Sequence, residues 1–351
     1  MADIPHLVSE RMEVEDSADA INQLFYERGW TDGLPVIPPT GKSVSAMLSA
    51  VDRDPQEQIA LLAPKTGIAT VEKIAINAVM AGCLPEYLPV LVAATAAIAE
   101  EKFNLLGVQA TTHPCSPFIV VNGPIAEKLK INCRGNAFSP GFRANATIGR
   151  ALRLILLNIG GGIPQQTDRA THGQPGKFSC CIAENEDENP WEPLHVERGF
   201  RPQDSTVTVF AAEAPHNIND HESITGKGIL ITSAATMATA GNNNLTYYTG
   251  EPILVLGPEH AATVKKDGFT KEQVKDFIFE HAKLPVAKLS EENQRYRQDP
   301  NCDFGEFAHS DMAPVGRRKD IVVMVAGGEG KHSMFVPTFG LSYSVTKLIP
   351  A

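Results

Sequence analysis

Seven residues near the end of the chain, Gly327-Gly328-Glu329-Gly330-Lys331-His332-Ser333, follow an apolar run from Ile321 to Ala326. Three glycines allow a turn whose N–H groups gather round a carboxylate or phosphate, with Lys331 as counter-charge and His332 able to exchange protons. Gly328, Gly330, Lys331 and Ser333 are thus candidate substrate ligands, and His332 is a candidate catalytic group. The G-x-x-x-x-G-K-[ST] spacing of a Walker A loop is absent.

Three further stretches carry chemistry-bearing side chains. In Thr111-Thr112-His113-Pro114-Cys115-Ser116-Pro117, a cysteine two residues from a histidine is a candidate nucleophile with its base. The alternative is a buried structural thiol beside a satisfied histidine. In Lys177–Glu186 (KFSCCIAENE), continuing to Trp191–Arg198 (WEPLHVER), Glu184, Asn185 and His195 are of acid–base and metal-ligand types, although Glu184–Glu188 also suits a solvated turn. Cys180 and Cys181 alternate across a strand on this reading, since neighbouring cysteines rarely bridge without strain. In Trp30-Thr31-Asp32-Gly33-Leu34-Pro35, Trp30 and Asp32 serve either a substrate-covering arm or a structural strap.

No G-x-G-x-x-G, CxxC, HExxH or G-x-S-x-G occurs in a supporting context, so nicotinamide, zinc-hydrolase and serine-hydrolase chemistries have no local signature. The cofactor stays open. A divalent metal ion is the candidate, because His113, Cys115, His195, His216, His332 and Glu184 are all ligand types, though no spacing among them is diagnostic.

The elements that must position these groups follow from periodicity. Residues 17–29 place Ile21, Leu24 and Phe25 on one helical face and stop at Gly29, a proline-rich extended arm follows, and a helix is expected near 44–51. Residues 67–82 and 84–101 read as two Ala-rich core helices. The runs 117–122, 206–211, 252–256 and 321–326 read as strands buried on both faces. Residues 118–131 (FIVVNGPIAEKLKI) and 252–265 (PILVLGPEHAATVK) resemble one another, and each precedes an amphipathic helix, at about 143–158 and 270–283.

The expected fold is therefore α/β, with two related halves arising by internal duplication, mostly parallel buried strands and flanking helices. Residues 1–60 form the helix and arm, 61–200 the first half and 201–351 the second. Such halves place a site between them beyond the carboxyl ends of the strands, which selects Asn122, His216, His260, Lys331 and His332.

Composition bounds the function. The 351-residue chain has a net charge of -10, which disfavours phosphate-backbone contacts and nucleic acid as a partner. No apolar stretch reaches the roughly 18 residues of a membrane span and the first residues lack a signal-like apolar core, so the expected location is the cytoplasm, without membrane contact. Six cysteines without framework spacing read as cytosolic thiols. A homodimer is the expected assembly.

The segments GWTDGLPVIPPT, KFSCCIAENE, NPWEPLHVERGF and GGEGKHS resemble a bacterial family recognised by its W-T-D-G-L-P-V-x-P-P-T opening, over about residues 20–340. Members of that family occur with, or fused to, proteins of the UGSC type, which carry a selenocysteine or cysteine motif. The resemblance implies thiol or selenol chemistry in the pathway and no particular reaction. The U/C-G-S-C motif itself is absent from this chain.

The function expected is a hydrolase or lyase acting on a small anionic polar substrate. Gly327–Lys331 would hold the anion, Cys115 would attack or ligate a metal, and His332 or His113 with Glu184 would move protons. The alternatives are a thiol-dependent oxidoreductase using Cys180, Cys181 or Cys115, and a non-catalytic metabolite-binding protein.

Overall fold

The computed structural model describes residues 7–299, 301 and 307–350. Among these the strands are β1 (Gln58–Leu62), β2 (Gly67–Thr70), β3 (Ser116–Asn122), β4 (Cys181–Ala183), β5 (Thr206–Ala212), β6 (His216–Asn219), β7 (Ile253–Leu256), β8 (Lys283–Pro285), β9 (Met312–Pro314), β10 (Val322–Val325), β11 (His332–Val336) and β12 (Val345–Leu348).

Two four-stranded sheets dominate, ordered β12-β5-β3-β4 and β6-β11-β7-β10. Alternation sends successive side chains to opposite faces. Phe118, Val120, Ile182 and Phe210 of the first sheet share one core with Val255, Met324 and Val336 of the second, so the sheets stack face to face. The other face of the first sheet, with Ile119, Val121 and Val209, packs on the Val71–Ala81, Leu88–Ile98 and Arg143–Asn158 helices. The other face of the second, with Leu254, Val323 and Phe335, packs on the Gly226–Met237, Pro258–Lys266 and Lys271–His281 helices. The layers run helix, sheet, sheet, helix.

This arrangement corrects the expectation of mostly parallel strands. Only β3–β4 and β7–β10 pair in parallel, while the other neighbours in these sheets are antiparallel. Apolar runs report that both faces of a strand are covered, not its direction. Here a second sheet supplies one cover and helices the other. The sheets also do not divide at residue 200: β5 and β12 complete the first sheet, and β6 lies at an edge of the second.

Most helices lie where periodicity puts them, at Ala18–Glu27, Leu88–Ile98, Arg143–Asn158 and Lys271–His281. The helix expected from residue 67 begins at Val71, because Gly67–Thr70 instead forms a hairpin with β1. Thr70 caps the new start, its hydroxyl accepting from the Lys73 N–H at 3.3 Å. Among the described residues no helix is long and apolar enough to cross a membrane.

Candidate functional site

Parallel pairing of β3 with β4 sets Val121 beside Ala183, so Asn122 and Glu184 emerge together at the carboxyl edge of the first sheet. Asn122 is wholly buried, and its Nδ2 donates to Glu184 Oε2 at 2.7 Å and to Glu186 Oε1 at 3.0 Å. One amide thus bridges two carboxylates. The Gly123 N–H also donates to Glu186 Oε1, at 2.7 Å. Gly123 has φ +82°, and a Cβ there would lie 2.1 Å from the Asp204 carbonyl oxygen, so only glycine makes this turn.

Glu184 accepts further bonds from the Leu194 N–H and Asn189 Nδ2, both at 2.8 Å. Burial nevertheless pushes its carboxyl above the usual range, against the opposing charge of Lys271. Glu186 is the more open of the two acids, its side chain 29% exposed. Behind it sits His195, wholly buried. His195 Nε2 lies 3.4 Å from the Pro202 carbonyl, which can only accept, so this nitrogen carries the hydrogen. Its Nδ1 is 3.9 Å from Glu186 Oε1 and has no hydrogen-bond partner. Asn122 Oδ1 and Asn185 Oδ1 are likewise buried acceptors without a donor. Each such group costs about 1–3 kcal/mol left alone.

Asn185 ties this edge to the second sheet. Its N–H donates to the Val325 carbonyl at 2.8 Å, and its Nδ2 lies 3.3 Å from the Gly327 carbonyl. The glycine-rich turn is used up internally. The Gly327 N–H donates to Cys133 O at 2.8 Å and the Gly330 N–H to Glu259 Oε1 at 2.7 Å, while a Cβ on Gly328 would meet Gly135 at 2.8 Å. Lys331 Nζ donates to the His221 carbonyl at 2.9 Å. The N–H cradle expected for an anion has therefore lost two of its donors to the protein.

Beyond the turn, His332 and Ser333 open β11 rather than ending a loop. Ser333 Oγ accepts from the Gly257 N–H at 3.1 Å, leaving its hydrogen for His260 Nδ1 at 2.8 Å, and His260 Nε2 donates to the Asp220 carbonyl at 3.1 Å. Burial depresses the His260 imidazole below its ordinary value. His332 is exposed; its Nδ1 lies 3.1 Å from Asn217 Oδ1 and its Nε2 3.1 Å from His221 Nε2.

Cys115 and His113 stand elsewhere. They precede β3 and so occupy the end of the first sheet opposite Glu184. Burial pushes the Cys115 thiol up to about 12, with Lys177 pulling weakly the other way. His113 is not its base: His113 Nε2 pairs with Glu213 at 2.7 Å and the ring stacks on Phe339. The thiol borders a cavity of about 10 Å³ with Gln109, Arg153 and Lys177, room for a single water. Cys181 faces the helix-covered core and Cys180 the sheet–sheet core, the expected alternation.

The Trp30–Pro35 arm is pinned to the Arg143–Asn158 helix. Arg150 grips Asp32 through Nε–Oδ2 at 2.8 Å and Nη2–Oδ1 at 2.9 Å, and donates to the Pro35 carbonyl at 2.8 Å. Burial would raise the Asp32 carboxyl, but the bonds and charge of Arg150 outweigh it and hold the group below its usual value. Trp30 borders a cavity of about 730 Å³ with Leu7, Met12, Ile21, Val44 and Met80.

The structure thus gathers Glu184, Asn185 and His195 at one edge, ties Gly327 to them, and leaves Cys115, His113, Trp30 and Asp32 outside. Sequence reasoning did not single out Glu186 or His221. Glu186 sits in the quoted ENE run, but its partners Asn122 and Gly123 lie more than 60 residues away. Among the described residues no group of three or more His, Cys, Asp and Glu side chains is arranged to hold a metal. No known family, curated protein or solved structure matches the chain.

Proposed function

We propose that the protein is a small-molecule enzyme working by proton transfer, a lyase or hydrolase, with Glu186 as the group that meets the substrate. The observation that carries this reading is the Asn122 bridge between a buried and a half-open carboxylate, with the unpartnered His195 Nδ1 behind the open one. A neutral His195 directs a lone pair at that carboxylate, and one proton on either group turns the repulsion into attraction. Glu186 and His195 together can therefore take up and return a proton. Glu184 is enclosed and positions Asn122. The site lies at the carboxyl ends of parallel strands, where open α/β sheets commonly bind ligands.

The test uses heavy water. Wild-type protein is incubated with a panel of small carboxylic and hydroxy acids, and deuterium uptake and turnover are followed by mass spectrometry. Glu186→Gln should lower the rate by about 10²–10⁴-fold with the circular dichroism unchanged. Full activity in that variant, or its abolition by Cys115→Ser alone, refutes the assignment.

A second reading, non-catalytic binding, is favoured by one observation, the 730 Å³ apolar-walled cavity beside Trp30, which is in the size range of ligand pockets. For the thiol oxidoreductase reading, by contrast, the burial of Cys115 and Cys181 and the raised thiol of the half-buried Cys180 are adverse.

Internal duplication also belongs to this proposal. Supporting it, β3 and β7 carry the two similar segments, each occupies the same place in its sheet, and each leads into a Pro-initiated helix.

A further inference from the structure

We propose that His221 and His332 form a binding site for one divalent transition-metal ion such as zinc, nickel or copper, independent of the acid–base reading at Glu186. The two Nε2 atoms stand 3.1 Å apart with the rings at 78°. Zinc–imidazole bonds of about 2.0–2.1 Å at a tetrahedral angle put two ligand nitrogens about 3.3–3.4 Å apart. The pair is within a few tenths of an ångström of that spacing before any ion is present.

The surroundings fit a metal more closely than a chance contact. Asn217 Oδ1, a carbonyl oxygen that only accepts, faces His332 Nδ1 at 3.1 Å and fixes the hydrogen on that nitrogen. Nε2 is then the lone-pair end, aimed at His221. Metal-bound histidines commonly have their second nitrogen committed in this way to an oxygen acceptor. The backbone is fixed on both sides: His332 pairs in register with Asn219 on β6, and Lys331 Nζ holds the His221 carbonyl at 2.9 Å. With no metal, one of the two facing nitrogens must carry a hydrogen. That hydrogen is the one on His221 Nε2, and a bound ion takes its place as the His221 proton moves to Nδ1.

Both rings are exposed, which leaves the remaining coordination positions open to water or a small ligand. Imidazole donors select borderline ions such as zinc, nickel and copper over magnesium or calcium. This gives the Lys331-His332 motif a role that the occupied glycine turn does not.

The experiment is a calorimetric titration of the full, untagged chain with zinc after removal of metals by chelator, repeated with copper under electron paramagnetic resonance. The expected result is one equivalent bound and nitrogen splitting from two imidazoles. His221→Ala and His332→Ala should each weaken binding by at least about tenfold, and Asn217→Leu by about 10–100-fold. Circular dichroism and the melting temperature without metal check that each variant folds. Loss of binding in folded histidine variants supports the site. Wild-type affinity in both histidine variants, or no binding by the wild type up to millimolar zinc, overturns it.

Discussion

With Cys302, which lies outside the described residues, replaced by serine, the thiols left are Cys83, Cys115, Cys133, Cys180 and Cys181, all free. Burial pushes those of Cys83, Cys115 and Cys180 up to about 12, and that of Cys181 well above its ordinary value. An unperturbed cysteine, ionising near 8.5, is about one quarter thiolate at pH 8, whereas a thiol at about 12 is one part in roughly 10⁴. The thiolate is the reactive form, so ionisation alone slows alkylation of Cys115 by about 2,000-fold, before counting its 1% exposure. Cys133 and Cys180 are both half-buried, but of the two only Cys133 escapes so large an upward shift. A timed pulse of iodoacetamide at pH 8, with peptide mass spectrometry before and after guanidinium unfolding, should find Cys133 modified first and the other four only after denaturation. Modification of Cys115 within about tenfold of a free cysteine's rate, in protein that keeps its native circular dichroism, would refute both the burial argument and the preference for proton-transfer chemistry.

Asp32→Asn leaves the Arg150 charge without its partner at a site where the Asp32 side chain is only 3% exposed, so about 3–5 kcal/mol of stability should be lost. At about 2.1 cal/mol/K per residue, the 351-residue chain would melt about 4–7 °C lower if it unfolds as one unit. Because the folded carboxyl titrates below the unfolded one, its contribution is complete above the unfolded value and disappears as pH falls through the folded value. Melting curves between pH 2 and pH 7 should therefore show the wild type and Asp32→Asn drawing together below about pH 4, and a constant gap contradicts the ion-pair account. Gly123→Ala forces a Cβ against the Asp204 carbonyl in left-handed backbone and should cost at least about 1–3 kcal/mol. A melting temperature equal to wild type would show that the turn can relax.

Local pattern made much of the fold legible. The Arg143–Asn158 and Lys271–His281 helices and the strand cores of β3, β5, β7 and β10 follow from periodicity and β-branched runs. What it could not carry was partnership. β6, β11 and β12 are short, and their pairing depends on chain 79 or more residues distant, so Lys331-His332-Ser333 read as a loop. The same limit governed the site. Glu184, Asn185 and His195 share a segment and stay together, whereas Cys115 and Glu184 belong to adjacent parallel strands but leave them at opposite ends. Asp32 was legible as a residue type; its strap role depended on Arg150, 118 residues away.

The place of β12 in the first sheet has a consequence for how the protein is made. β5 is buried along all seven residues, and the strand that closes its free edge begins only at Val345. At about 5–20 residues per second, a ribosome needs roughly 7–27 s to travel from the end of β5 to that strand. Through that interval the nascent chain presents an uncovered row of backbone donors and acceptors flanked by Val207, Val209 and Phe210, the kind of edge that recruits other chains. A message that ends early, before Val345, makes this a permanent condition, so truncated products of this gene should collect in inclusion bodies even when every residue of the Glu186 site has been synthesised.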